Sequence, residues 1–260
     1  MDKVFEIYKI NPLNEISGWI AFVFGLLATI ITASLTIPQL VEIVKTKKIH
    51  PETKYYQYWI FFVALIGWMV YGAFQNLIAS FIANIICLYI YSVYMYFLYK
   101  YRPLRVSEAE KNEKAKVLHK KRERNAIIVI AITLTLSSAF LIVAILKLAL
   151  PFNVSEELNK VLAQIVPMLS VFAFLPQIIR NFETKRFNTI STPMVTIFVV
   201  NNVVWIIYFF FIGYNQGSLS DLISPITWQA LSLMLYSSQL AMITKYHRVE
   251  KKQKTQNVSN

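Results

Sequence analysis

Six polar or aromatic side chains interrupt the longest apolar stretches of this sequence, and their types suit binding better than bond making. They are Trp68, Asn84, Asn201, Asn202, Trp205 and Gln229. An amide inside an apolar helix needs a hydrogen-bond partner, which is either a neighbouring helix or a polar solute. A deep tryptophan either packs against apolar neighbours or offers a face on which a ring can stack. Both interpretations stay open from the residues alone.

Residue types that carry catalysis or bind metals are scarce and scattered. Cys87 is the single cysteine, and His50, His119 and His247 lie far apart in charged stretches. A disulfide framework and a multi-thiolate metal site are therefore excluded. The sequence also has no recognised nucleophile elbow, P-loop or metal-ligand motif. We expect no enzyme activity, no metal and no other cofactor.

The elements that must position these side chains are membrane-spanning helices. Hydrophobic residues make up 56% of the 260-residue chain and charged residues 15%, whereas soluble domains carry about 25% charged residues. A helix crosses a bilayer with about 20 apolar residues, and continuous runs of this length favour helices over barrel strands. The sequence predicts an all-α integral membrane protein with seven transmembrane helices. The predicted spans are 17–43, 57–74, 77–99, 126–147, 159–180, 193–213 and 222–244.

The basic residues predict the orientation in the membrane. With seven spans, all lysines and arginines except Lys3, Lys9, Lys147 and Lys160 fall on one side. The positive-inside rule then places the N-terminus outside and the C-terminus in the cytoplasm, with the plasma membrane as the default location. The net charge of +12 is thereby explained by topology. The bilayer is the expected surroundings of the chain, and we expect no nucleic-acid partner.

Two short motifs each occur twice, which indicates an internal repeat. They are Pro38-Gln39 and Pro176-Gln177, and Trp68-x-x-Tyr71 and Trp205-x-x-Tyr208. The third span of each half aligns more weakly, with Asn84 opposite Gln229. The chain thus reads as three spans, one connecting span and three spans. A single connecting span restores the direction of the chain, so the repeats are parallel, as in one architecture of secondary transporters with a solute site between the repeats.

The duplicated Pro-Gln and Trp-x-x-Tyr motifs in a 3+1+3 arrangement resemble the PQ-loop superfamily, and within it the SWEET (MtN3/saliva) sugar transporters. The resemblance implies that an asparagine in the third helix of each repeat contacts the substrate. Asn84 matches this position in the first repeat, whereas Gln229 replaces the asparagine in the second. The resemblance also favours Trp68 and Trp205 as stacking platforms for a sugar ring.

The Pro-Gln pairs are candidate hinges or gates. Proline within a helix removes one backbone hydrogen bond and kinks the helix. Gln39 and Gln177 can hydrogen-bond near the carbonyl groups that Pro38 and Pro176 leave unpaired. Either each pair lets its helix bundle open and close, or it forms a static kink of the kind common in membrane helices.

These features predict how the chain is divided. The segments are an extracellular leader (1–16), the first repeat (17–99), a basic cytoplasmic loop with a helical pattern (100–125), a linker helix (126–147), an outer loop (148–158), the second repeat (159–244) and a basic cytoplasmic tail (245–260).

The centre of every predicted span lacks charged residues and histidine. Proton-coupled carriers need such a group to load and release the proton. We therefore expect facilitated, uncoupled diffusion of a small neutral polar solute, a sugar, by alternating access. The alternatives are transport of an amino acid, vitamin or other metabolite, and a non-transporting PQ-loop receptor or scaffold. A homo-oligomer is compatible with the sequence.

Overall fold

The described part of the chain is helical. The computed structural model describes residues 15–49, 53–103, 113–150, 153–184, 192–220 and 222–258, and these contain no β-strand. The helices are α1 (Glu15–Ser34), α2 (Ile37–Thr46), α3 (Tyr55–Phe74), α4 (Ile78–Lys100), α5 (Glu113–Ala149), α6 (Glu156–Thr184), α7 (Thr192–Asn215) and α8 (Ile223–Val258).

Most helices coincide with the predicted spans, and two extend well beyond them. Helix α5 begins within the basic segment and continues into the apolar run, while α8 continues into the basic tail. Six segments of the described chain are long and apolar enough to cross a membrane, judged by length and composition: Glu15–Thr46, Tyr55–Phe74, Ile78–Lys100, Val117–Ala149, Glu156–Pro176 and Thr192–Asn215. Helix α8 is not among them, and its predicted span 222–244 is interrupted by several serines and by Gln229 and Gln239.

The first span is broken between α1 and α2. The break falls at Leu35 and Thr36, and Pro38 lies in the first turn of α2. Because proline has no backbone N–H to donate and its φ suits a helix, it is well suited to the first turn of the new helix. The backbone N–H of Leu35 bonds the carbonyl of Thr32 at 3.2 Å, and that of Leu40 bonds the carbonyl of Thr36 at 3.0 Å. The predicted kink is therefore a two-residue turn between α1 and α2, in which Thr36 keeps right-handed helical dihedral angles.

Helices α3 and α7 end in the same hydrogen-bonded motif. At the end of α3, the N–H of Leu77 bonds the carbonyl of Gly72 at 2.7 Å, and Asn76 has a φ of 54°. At the end of α7, the N–H of Ser218 bonds the carbonyl of Gly213 at 3.1 Å, and the intervening Gly217 has a φ of 71°. Both are Schellman ends, in which a left-handed residue lets the chain turn while the last carbonyls stay bonded.

Gly72 also lets α3 and α4 approach closely. A Cβ atom at this position would lie 2.7 Å from the backbone nitrogen of Phe81, whereas a Cβ at Gly213 would meet the flexible end of Leu219. Gly72→Ala should therefore lower the free energy of unfolding by about 1–3 kcal/mol, and Gly213→Ala should cost less. Thermal unfolding of both variants in one detergent measures this. Equal melting temperatures for Gly72→Ala and wild type would contradict the close approach.

Contacts divide the chain into two compact units. The central unit comprises Thr29–Leu162, and the C-terminal unit comprises Met1–Ala28 with Ala163–Asn260. In the central unit, α4 packs against α3, α5 and α2; in the C-terminal unit, α7 packs against α8. Aromatic side chains dominate both cores. The fully buried ones are Phe62, Tyr71 and Tyr94 in the central unit and Tyr208 and Phe209 in the C-terminal unit.

The start of α1 is fixed to the end of α7 within the C-terminal unit. The Ser17 hydroxyl donates to Oδ1 of Asn215 at 2.6 Å, and Nδ2 of Asn215 donates to the carbonyl of Ser17 at 3.4 Å. Both residues are buried, at 3% and 4% exposure. This reciprocal pair attaches the first described turn of the chain to the second repeat.

Candidate functional site

In the central unit, Ser80 connects Asn84 with Trp68. The amide nitrogen of Asn84 donates to the carbonyl of Ser80 at 2.8 Å. The hydroxyl of Ser80 in turn donates to the carbonyl of Trp68 at 3.5 Å. Asn84 is buried at 4% exposure, and its Oδ1 has no hydrogen-bond partner among the described residues. This oxygen is therefore held in place as a hydrogen-bond acceptor.

In the C-terminal unit, Asn202 makes the same kind of contact. Its amide nitrogen donates to the carbonyl of Phe198, four residues earlier on α7, at 2.7 Å. Asn202 is buried at 3% exposure and its neighbour Asn201 at 8%. Within the described chain, Oδ1 of Asn202 also has no partner. Each unit thus holds an asparagine whose amide nitrogen is bonded to its own helix and whose oxygen remains able to accept a hydrogen bond from a hydroxyl group.

The two Trp-x-x-Tyr motifs have closely similar geometry. Trp68 meets Tyr71 edge to face, with ring centroids 5.9 Å apart and planes at 76°. Trp205 meets Tyr208 in the same way, at 5.4 Å and 83°. Trp68 is 8% exposed and Trp205 4%, and Trp205 also stacks on Phe209 at 5.1 Å. The tyrosines thus orient the indole rings, and Phe209 covers part of the Trp205 surface in this conformation.

Gln229 lies apart from these contacts on α8, which packs along α7. It is half-buried, and its side chain makes no hydrogen bond to the part of the chain that the structure describes. Its neighbour Trp228 donates from Nε1 to Oε1 of Gln164 at 3.1 Å. Helix α8 is also fixed by Ser224, whose hydroxyl donates to the carbonyl of Ala163 at 2.7 Å. Two α6 contacts therefore hold the first turns of α8.

The two Pro-Gln pairs lie in different backbone environments. Pro38 begins α2 after the break, with Gln39 half-buried beside it. Pro176 lies inside α6, which is continuous from Glu156 to Thr184 and contains a further proline, Pro167. The side chain of Gln177 lies outside the described residues. The duplicated motif thus interrupts a helix in the first repeat and is accommodated within one in the second.

Comparison with known proteins agrees with the resemblance to PQ-loop proteins and with the helix arrangement. Residues 158–218 match the family model of the PQ loop repeat. The structure is similar to that of a eukaryotic SWEET transporter, with a TM-score of 0.59 and 14% sequence identity over 90% of this chain and 100% of that one. The chain therefore resembles the SWEET transporter in its fold and carries one segment that matches the PQ loop repeat. A search of curated proteins found no match.

The comparison confirms the predicted fold class and the resemblance on which it rested. The SWEET-like chain is a multi-pass membrane protein, and α8 completes the seven-helix fold although its sequence is more polar than the other spans. The family match covers α6 from Leu158 and the whole of α7. At this level of sequence identity, the structural likeness establishes the fold.

Two residues that support the candidate side chains were not predicted, one in each unit. Ser80 connects Asn84 to Trp68, and it lies four residues before Asn84, a spacing that places both on one helix face. Tyr236 stacks on Phe198 at 4.7 Å with planes at 14°, so it supports the carbonyl that Asn202 binds. Tyr236 aligns with Tyr91 of the first repeat, and this alignment was the sequence signal that could have identified it.

Proposed function

We propose that this chain is a membrane transporter that mediates facilitated, uncoupled diffusion of a sugar by alternating access. The observation that carries the proposal is the pair of buried asparagines, Asn84 and Asn202, each with its amide nitrogen bonded to its own helix. The amide oxygen of each asparagine can accept a hydrogen bond from a hydroxyl group, and sugars carry many hydroxyl groups. We assign substrate contacts also to Trp68, Asn201, Trp205 and Gln229.

Aromatic rings complement these acceptors. The apolar face of a sugar ring can stack on an aromatic side chain, and binding sites for small solutes combine such walls with a few placed polar groups. Trp68 and Trp205 each have a tyrosine fixing the plane of the indole. Phe209 stacks on one face of the Trp205 indole. A sugar ring can stack on that face only after Phe209 has moved aside, so we assign the contact between the sugar and Trp205 to another conformation of the transport cycle.

The absence of charges in the span centres supports the uncoupled mechanism. The sequence carries no Asp, Glu, Lys, Arg or His in residues 55–99 or 222–244. Without a titratable group there, binding of a proton cannot be linked to binding of the solute. The solute gradient alone then drives transport.

We further propose that the Pro-Gln pairs act as hinges of unequal stiffness. The break before Pro38 leaves α2 joined to α1 through a short turn, whereas α6 keeps its helix through Pro176. Rotation at the break needs few hydrogen bonds to change. The positive-inside distribution places both pairs near the cytoplasmic side of a plasma-membrane protein with its N-terminus outside.

Counterflow in liposomes tests the proposed function. The full-length protein is reconstituted in vesicles preloaded with unlabelled sugar, and uptake of a labelled sugar panel is measured with and without an imposed proton gradient. We expect saturable counterflow of at least one mono- or disaccharide, unchanged by the gradient. Empty liposomes are the control. Flux that follows the proton gradient would refute uncoupled transport, and flux of amino acids or vitamins without any sugar would refute the substrate class.

A further inference from the structure

A cluster of arginine and aromatic side chains lies at one end of the central unit, and we call its members Tyr55, Trp59, Tyr99, Arg102 and Arg122 the arginine–tyrosine cluster. The Arg102 guanidinium lies 4.7 Å from the centroid of the Tyr55 ring. That ring meets the Tyr99 ring edge to face at 5.0 Å. The hydroxyl of Tyr99 accepts a hydrogen bond from Nε1 of Trp59 at 2.9 Å.

Arg122 joins the cluster from α5. Its Nη1 donates to the backbone carbonyl of Arg102 at 3.3 Å. This bond brings Arg122 to the segment of backbone that carries Arg102, whose own side chain is exposed. Within the described chain, neither arginine forms an ion pair with a carboxylate.

Two hydrogen-bonding groups of the cluster have no partner. The hydroxyl of Tyr55 and Nε of Arg122 are both buried and unbonded among the described residues. Buried polar groups in folded proteins are nearly always hydrogen-bonded, so each exception needs an explanation. Both groups can donate, and both adjoin Arg102. The cluster therefore offers two guanidinium groups and a phenol hydroxyl but contains no described acceptor that matches them.

The position of the cluster indicates which anion fits. Tyr55 begins α3, and Arg102 follows the end of α4. Arg122 lies a few residues before the charge-free run 126–146 of α5. All three spans change from apolar to charged sequence at this end, which is the level of the lipid headgroups.

We propose that the arginine–tyrosine cluster binds the phosphate of an anionic phospholipid headgroup. Guanidinium groups bind phosphate through paired, charge-assisted hydrogen bonds, and the Tyr55 hydroxyl supplies a further donor. A lipid fits better than free phosphate because its acyl chains extend along the apolar part of the same three helices. The exposed Lys120, Lys121 and Arg124 on α5 add attraction for an anionic membrane surface.

Thermal unfolding of the purified full-length protein tests this site. The protein in a neutral detergent is titrated with phosphatidylglycerol, phosphatidylcholine or inorganic phosphate. Phosphatidylglycerol should raise the melting temperature, while the other two should not. Arg102→Gln and Arg122→Gln should each weaken the apparent affinity for phosphatidylglycerol about tenfold, because each loses a charge-assisted hydrogen bond to the phosphate. The matched control, Lys120→Gln with Arg124→Gln, removes two exposed cations from the same helix and should keep most of the affinity.

Tyr55→Phe provides a readout that needs no change of charge. Because the hydroxyl has no described partner, this variant should melt no lower than wild type without lipid, yet gain less from phosphatidylglycerol. A control pair that weakens binding as much as the cluster arginines would overturn the proposal in favour of diffuse attraction. An equal response to inorganic phosphate would overturn the lipid as the ligand.

An acidic side chain of the chain itself is the remaining rival for this site. Glu52 lies three residues before Tyr55, and Glu108 and Glu110 lie six and eight residues after Arg102. If one of them fills the cluster, the triple variant Glu52→Gln/Glu108→Gln/Glu110→Gln should melt lower without lipid and bind phosphatidylglycerol more tightly, which would overturn the proposal. Unchanged values for both would support the phospholipid.

Discussion

Asn84→Ala and Asn202→Ala should each reduce sugar counterflow by about tenfold or more while leaving the amount of folded protein unchanged. Each replacement removes an acceptor that a sugar hydroxyl requires, and leaving a buried hydroxyl without a partner costs about 1–3 kcal/mol. Because each amide bonds only the carbonyl of its own helix, at Ser80 and Phe198, its loss disturbs no described helix–helix contact. The initial rate of counterflow at low sugar concentration measures the effect.

Ser238→Ala is the matched control for both asparagines. The Ser238 hydroxyl makes the same contact with the carbonyl four residues earlier, that of Met234 at 2.8 Å, but it lies at an exposed position on α8. Its removal should leave counterflow unchanged. If Asn84→Ala and Asn202→Ala transported sugar like Ser238→Ala, the assignment of these amides to the substrate would be wrong.

Breaking the pair of Ser17 and Asn215 should destabilise the protein by about 1–3 kcal/mol for either single alanine substitution. Each substitution removes both hydrogen bonds that the buried pair exchanges. The double variant should lose little more than the worse single variant, because the two residues act as one unit. Melting temperatures of the four proteins in one detergent give the coupling.

Thr227→Ala controls for the loss of a hydroxyl near the end of a span. Thr227 bonds the carbonyl of Ile223 at 2.8 Å within its own helix and is exposed, so its replacement should have a small effect. Additive losses in the Ser17→Ala/Asn215→Ala protein would show that the two side chains act independently, contrary to the structure.

The fold was predictable because lipid leaves the chain few options. In lipid, each charge-free run must form the hydrogen bonds of its backbone within the protein. The described parts of these runs are accordingly helical, as the hydropathy predicted. Helix ends were less predictable. Helix α5 begins at Glu113, before the predicted span 126–147, and α8 continues past the predicted span 222–244 to Val258.

The backbone at the two Pro-Gln pairs could not be predicted from the motif. Pro38 and Pro176 occur in the same motif, yet one lies at a helix break and the other inside a continuous helix. The missing N–H is the same in both. At the break, the N–H of Leu35 bonds the carbonyl of Thr32 and that of Leu40 bonds the carbonyl of Thr36, whereas α6 keeps its helix through Pro176. Such short-range bonds depend on backbone geometry that the motif does not encode.

For the candidate site, residue type was the useful signal. A buried amide or tryptophan in an apolar helix stands out, so Asn84, Asn202 and Trp205 could be named from the sequence. Their supporting contacts could not, because Ser80 and Phe198 take part through backbone carbonyls, which every residue has. The structure was needed to show that each amide nitrogen bonds a carbonyl of its own helix, whereas the amide oxygen has no partner among the described residues.

The length of α7 has a consequence for the membrane that suits this protein. Helix α3 has 20 residues and α7 has 24, so at 1.5 Å per residue they are about 30 Å and about 36 Å long. When the two helices are aligned on Trp68 and Trp205, the additional turn of α7 begins at Ile212 and reaches Asn215, the partner of Ser17. A hydrocarbon layer whose thickness matches the length of α3 is thinner than the length of α7. Such hydrophobic mismatch is relieved by tilting the longer helix or thickening the surrounding lipid, which makes bilayer thickness a physical variable to which the second repeat is more sensitive than the first.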